Sequence, residues 1–166
     1  MSQGDFERKY IESGSLVDRE ISKAEAEQAG SYRVHCYQNG KLHHVELVQQ
    51  GAVITVMYKE AVWPDEDIEV WHKANYGGVP YDIQTPKTVE HDKMVCRVYG
   101  MNGSGEYREC IKNTFDDRGN LVIEERMTPS GDTFERTEYE YDKDNELRVT
   151  RIYGKNGELY DEITDE

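Results

Sequence analysis

No stretch of this sequence approaches 18 consecutive apolar residues, and its opening, MSQGDFERKY, has no apolar signal-type segment. A membrane-spanning helix and a secretory signal are therefore not expected. Basic residues are scarce, 20 Lys and Arg against 34 Asp and Glu, for a formal net charge of −14. Phosphate backbones need clustered cations and anionic lipid repels acidic chains, so neither nucleic acid nor membrane is an expected partner. The three cysteines, Cys36, Cys96 and Cys110, are odd in number and lack a CxxC spacing. Reduced, partly buried thiols in the cytoplasm fit that usage. The motifs GxxxxGK[ST], GxGxxG, HExxH and GxSxG are missing, so no cofactor is expected.

The 166 residues are 36% hydrophobic and 33% charged, with 12 tyrosines and short clusters of Val, Ile and Leu. That length suits a single domain, and short apolar bursts suit a sheet with one wet face. The expected fold is α+β: a mainly antiparallel, twisted β-sheet of a meander and hairpin repeats, with an N-terminal helix and one short middle helix. Residues 1–30 read as a polar tail and a helix over Ser15–Ala29, with Ser15 and Asp18 as a capping-box-like start and Gly30 as its stop. Residues 31–59 alternate with period two. Asn39-Gly40 and Gln50-Gly51 are tight turns between three strands, placing Val34 opposite Val45 and Cys36 opposite His43. Residues 60–90 break the rhythm. Pro64 and the acids after it start a helix with Ile68 and Trp71 as its buried stripe and His72 and Lys73 at its far end. A loop rich in Gly and Pro follows.

Residues 91–166 are strands separated by MNGSG, DDRGN, TPSGD, DKDNE and KNG, all turn chemistry. One constant spacing relates Phe115 to Tyr141, Asp116 to Asp142, Leu121 to Leu147, Ile123 to Val149, Gly131 to Gly157 and Phe134 to Tyr160. Each unit is a strand pair that cannot bury its face alone and is stabilised by stacking on its neighbours. These aromatic–Asp–x–x–Gly–x–Leu units resemble the hairpin repeats of the YD (RHS-type) family. With the Tyr37 hairpin, they also resemble the MORN-like antitoxin proteins encoded beside bacterial polymorphic toxins. The resemblance implies a neutralising partner role.

Side chains that could carry chemistry are few. Cys36 and His43 face each other in the expected register, yet zinc needs three or four converging ligands, and Tyr58 as the next neighbour is a poor one. A Cys nucleophile sits in an exposed cleft or at a helix N-terminus, whereas Cys36 alternates with Val34 and Tyr32 as core. No metal site and no catalytic residue is therefore expected, and the chain reads as a non-enzyme.

Surface remains. From Phe115 to Glu166 there are 16 acidic and 7 basic residues, so −9 of the total −14 lies in this segment. Tyrosine supplies anchoring area and carboxylates steer a cation inward. The expected partner-binding residues are Glu138, Tyr139, Glu140, Tyr141, Asp142, Asp144, Tyr153, Tyr160, Asp161 and Glu162. The expected partner is a basic protein, such as a cognate toxin whose active site an immunity protein would occlude. A self-associating scaffold of β-repeats and a small-molecule pocket in the Trp63–Tyr81 segment are the alternatives.

Overall fold

A computed structural model of the chain describes residues 6–13, 18–60 and 67–164. These are mostly strands in largely antiparallel pairings, with two short helices. Their internal contacts divide the chain into two compact units, Met1–Gln84 with Met101–Glu106 and Thr85–Gly100 with Tyr107–Glu166.

The first unit contains β1 (Glu7–Glu12), β2 (Glu20–Ile21), α1 (Lys23–Ala29), β3 (Ser31–Gln38), β4 (Lys41–Gln49), β5 (Ala52–Lys59), α2 (Ile68–Tyr76) and β6 (Tyr81–Gln84). Its strands lie in the order β6-β5-β4-β3-β1-β2. The β5–β6 pair is parallel, and the other pairs are antiparallel. The N-terminal segment, read as a polar tail, forms β1 along β3, with Tyr10 opposite Val34 and Ile11 buried. Pairing with a sheet edge outweighs the polar local sequence here.

The first helix is shorter than expected and begins at Lys23. Ser22 is its cap: the Glu25 amide donates to Ser22 Oγ (3.2 Å), and the Ser22 amide donates to the Glu25 carboxylate (2.8 Å). The capping box therefore belongs to Ser22 and Glu25. Ser15 lies outside the described residues, and the Asp18 carboxylate accepts from Arg33 (2.8 Å). Gly30, at φ 74°, ends the helix where the sequence places the stop.

Both meander turns form as expected, with positive φ at Asn39 and Gly40 and at Gln50 and Gly51. The register beyond the first turn does not follow expectation. Tyr37 pairs with Leu42, but Cys36 pairs with His44, Val34 with Glu46 and Tyr32 with Val48. His43 is the extra residue of a β-bulge. One inserted residue sends every later side chain of β4 to the opposite face. Glu46 and His44 therefore face the core in place of Val45 and Leu47, and on β5 Tyr58 lies beside His44 and Val56 beside Glu46. Two buried clusters result. One gathers Ala26, Tyr32, Val34, Cys36 and Val48, and the other gathers Val56, Tyr58, Ile68 and Tyr81.

The second unit contains β7 (Thr88–Glu90), β8 (Lys93–Met101), β9 (Tyr107–Phe115), β10 (Leu121–Met127), β11 (Thr133–Tyr141), β12 (Leu147–Gly154) and β13 (Leu159–Thr164). They lie in the order β13-β12-β11-β10-β9-β8, with β7 on β8. Burial is sparse: Val95, Cys96, Cys110, Thr114 and Thr137 are buried, β10 and β12 are half-buried throughout, and all of β13 is exposed. Beside the backbone ladders, rows of alternating charge run across the strands. Lys112 faces Glu125 and Glu125 faces Arg136, while on the other face Arg126 reaches both Glu109 (3.7 Å) and Glu135 (3.6 Å).

The turns starting at Asn102, Asp116, Thr128, Asp142 and Gly154 share one hydrogen-bond pattern. In each, the first amide donates to the fifth carbonyl and the fourth amide donates to the first carbonyl. The fourth residue has positive φ: Gly105, Gly119, Gly131, Asn145 and Gly157. A longer step and a shorter step alternate between successive turns. Asn102 to Thr128, Asp116 to Asp142 and Thr128 to Gly154 thus each span the same full period that relates Phe115 to Tyr141. Asn145, at the position where the other four turns have glycine, holds φ 70° and forms the same turn. Its amide also exchanges two hydrogen bonds with that of Asn120 (2.5 and 3.0 Å).

A Cβ at a left-handed position costs most where the side chain cannot bond locally. Gly119→Ala is expected to destabilise the protein by about 1–2 kcal/mol, and Asn145→Gly by about 0.5–1.5 kcal/mol, because the loss of its two hydrogen bonds with Asn120 outweighs glycine's ease at positive φ. Urea unfolding of both variants checks this.

Candidate functional site

The ten expected partner-binding residues all fall on β11, the following turn, β12 and β13, but not on one surface. Glu138 pairs with Arg151, which pairs with Glu162, so these three share a face. Glu140 and Tyr153 share it by alternation and pairing, and so does Tyr160. Tyr139 and Asp161 point to the opposite face. The Tyr141 hydroxyl donates to the Leu121 carbonyl (3.0 Å), which ties it to the neighbouring hairpin. Asp142 serves its own turn, with Oδ1 accepting the Asp144 and Glu146 amides and Oδ2 accepting from Arg148. These hydrogen bonds, together with Arg148, hold its carboxyl below the usual range.

The acids on the shared face are braced by arginines. Arg151 donates to Glu162 (2.6 Å) and Glu140 (3.0 Å), and Arg136 sits 2.7 Å from Glu138. Beside them lies an open concavity of about 380 Å³, lined by Glu125, Thr133, Arg136, Glu138, Tyr153 and Lys155 among others. The face is thus a mixed, ordered array of charge and tyrosine.

The densest polar chemistry lies elsewhere, in the first unit, and depends on the β4 bulge. His44 (1% exposed) and Glu46 (3% exposed) point inward there. On α2, residues 68, 72 and 76 recur at i, i+4, so Ile68, His72 and Tyr76 line one side. His72, expected at the helix end as a cation for the dipole, is mid-helix and 1% exposed. Burial lowers its pKa, against the raising effect of its bond to the Val79 carbonyl, so it is neutral. The buried stripe is therefore Ile68 and His72, with Trp71 half-buried at its flank.

Donors and acceptors in this cluster follow in sequence. Burial pushes the Glu46 carboxyl up, but His44, Tyr76 and Arg8 outweigh it and leave the group below the usual carboxylate range. Ionised, it only accepts, so the Tyr76 hydroxyl donates to it (2.5 Å) while Arg8 approaches from β1 (3.3 Å). With its proton committed, Tyr76 accepts from His44 Nε2 (2.6 Å), and His44 Nδ1 then accepts from His43 Nδ1 (2.8 Å). A second chain runs from the Tyr58 hydroxyl to His72 Nδ1 (2.7 Å) and from His72 Nε2 to the Val79 carbonyl (2.7 Å). Phe6 and Trp71 close over His43 and His44 with ring centroids 4.8–6.3 Å apart. Beside His72 and Tyr81 there is a cavity of about 10 Å³, room for one water.

Among the described residues, Cys36 Sγ, a His44 nitrogen and a Glu46 oxygen lie within 4.8 Å of one another and form the group that could hold a metal. The pairing differs from the expected Cys36–His43. Both His44 nitrogens and the Glu46 carboxylate are already hydrogen-bonded, and burial pushes the Cys36 thiol up to about 12. Protons and hydrogen bonds satisfy this set as it stands. An inert thiol of that kind is also a poor nucleophile.

The sequence reading missed this network because His44 and Glu46 read as outward-facing in an unbroken alternation. No family model matches the chain, and no curated protein matches it. Among the described residues, no helix is long and apolar enough to cross a membrane.

Burial, and then the neighbouring His44, bring the His43 pKa down to about 4 from an ordinary 6.5. Below pH 6.5 the unfolded chain takes up a proton that the folded one refuses until about pH 4. The stabilisation is therefore complete above 6.5 and lost as pH falls to 4, by about 3 kcal/mol for His43. Urea unfolding between pH 4 and 7 measures this slope, which flattens in His43→Phe. Tyr76→Phe strands His44 Nε2 and Glu46 together and is expected to cost about 1–3 kcal/mol at pH 7 by the same measurement.

Proposed function

We propose that this chain is a non-enzymatic binding protein that neutralises a cationic protein, as an immunity protein does a bacterial toxin, in the cytoplasm. The observation that carries the reading is one face of β11–β13, where Glu138, Glu140, Tyr153, Tyr160 and Glu162 lie together and Glu140, Tyr160 and Glu162 are exposed. Carboxylates fixed by arginines are pre-organised, so little side-chain freedom is lost when a cation arrives. Tyrosines at the same level supply rigid contact area.

The second unit is, in this reading, an array of hairpin repeats that grew by duplication of one full period. Its shared turn pattern and the alternation of long and short steps between turns support that origin. A non-enzymatic role is supported by the first unit, where His, Tyr and Glu groups are buried and bonded to one another.

Co-expression with the product of the adjacent reading frame tests the proposal. A salt-sensitive complex and relief of growth arrest are expected. Reversing Glu138, Glu140 and Glu162 together should slow association at low salt by roughly tenfold or more. A variant that binds and protects as well as wild type under those conditions would remove this face from the interface.

A further inference from the structure

Among the described residues, β13 pairs with β12 alone, and all six of its residues are exposed. Half the backbone amides and carbonyls of such a strand point away from its one neighbour, ready to pair with another chain. Native edges are usually protected by lysine, proline or a bulge that turns them aside. Here the outer strand carries Leu159 at 54% exposure, Tyr160 at 81% and Ile163 at 50%, with no proline or lysine; its one bulge lies at Tyr160 and leaves Asp161–Thr164 in regular register.

The sheet's own charge pattern says what fits beside it. Across β11, β12 and β13 the row reads Glu138, Arg151, Glu162, acid then base then acid. Across β9, β10 and β11 the row Lys112, Glu125, Arg136 alternates in the same way. At Glu162 the alternation stops on an acid at the open edge, and a basic residue opposite would extend it. On the other face Ile163 and Asp161 end the rows that begin at Tyr139–Thr150 and Thr137–Ile152, so an apolar residue is favoured against Ile163. A second copy fits poorly. Antiparallel self-pairing about the strand centre sets Asp161 against Glu162 of the other copy, and like charges directly opposite repel.

We propose that β13 is a docking edge that accepts an extended segment of a basic protein by strand addition, with Lys or Arg against Glu162 and an apolar residue against Ile163. Main-chain hydrogen bonds hold the added strand and the alternating side chains select it. This rests on the cationic-partner reading above and specifies its mode.

Three synthetic peptides test it on the full chain: alternating Val-Lys, Val-Ser and Val-Glu, titrated to millimolar concentration and followed by amide hydrogen exchange. The expected result is protection of β13 amides by Val-Lys, less by Val-Ser and none by Val-Glu. Glu162→Gln should weaken Val-Lys binding about two- to fivefold and leave Val-Ser binding unchanged. Ile163→Pro should abolish protection by both, and unchanged exchange in β11 and β12 shows that this variant is folded. Equal binding of all three peptides, or no protection of β13 at the highest concentration, overturns the proposal. So does protection of β13 that rises with protein concentration alone, which would identify a second copy as the occupant. If Val-Lys protects β11 and β12 amides but not those of β13, the docking edge is wrong while the cationic-partner reading stands. If a cationic protein partner fails to bind the wild type in the co-expression experiment, both fall.

Discussion

An ionised carboxylate buried at Glu46 has to be surrounded by donors, and the first unit is arranged to supply them. Each donor comes from a different element: Tyr76 from α2, Arg8 from β1, and His44 from β4 itself, by way of Tyr76. Removing water from a charge is costly unless hydrogen bonds replace it. The helix and the N-terminal strand are thus both held by a requirement set in the middle of the sheet. The His72–Tyr58 bond gives α2 a second polar tether one turn earlier. Apolar contacts from Ile68, Val56 and Tyr81 fill the space between. Such a site favours one docking of the helix over others, because any shift leaves several polar groups unpaired at once.

The second unit solves a different problem with different means. Its strands have little burial to share, so adjacent hairpins are joined by alternating charges and by turns that lock to one another. The Asn120–Asn145 pair and the Arg118 bond to the Asp142 carbonyl (3.1 Å) link two turns of the same edge. Each exposed ion pair contributes little alone. Rows of them fix register, because a one-residue slip would place like charges together and turn every side chain to the other face.

Much of this was legible in the sequence where the cause is local. Asn39-Gly40, Gln50-Gly51 and Gly30 adopt the left-handed backbone that their composition announces. The spacing of Phe115 and Tyr141 exposed the rhythm of the second unit, and Asn145 kept it in the absence of glycine. What was not legible depends on distant contacts. Nothing within a few positions of His43 signals a bulge, yet that single insertion decides whether Val45 or Glu46 faces inward. The start of α1 was misplaced because Ser15–Asp18 and Ser22–Glu25 both carry a Ser–x–x–acid pattern, and only Ser22–Glu25 is shown to complete the reciprocal pair. Of the expected surface, the charge and tyrosines were readable. Their division between two faces required the observed pairing.

The alternation of long and short steps between turns has one more implication. Two successive strands restore both the chain direction and the facing of side chains. Lys112, Glu138 and Thr164, set one full period apart, therefore stand on the same side of the sheet. A whole strand pair can be gained or lost without inverting anything that follows, whereas a single strand cannot without exchanging one edge's turns for the other's. The turns at the two edges therefore stay in phase only when strands are added or removed in pairs.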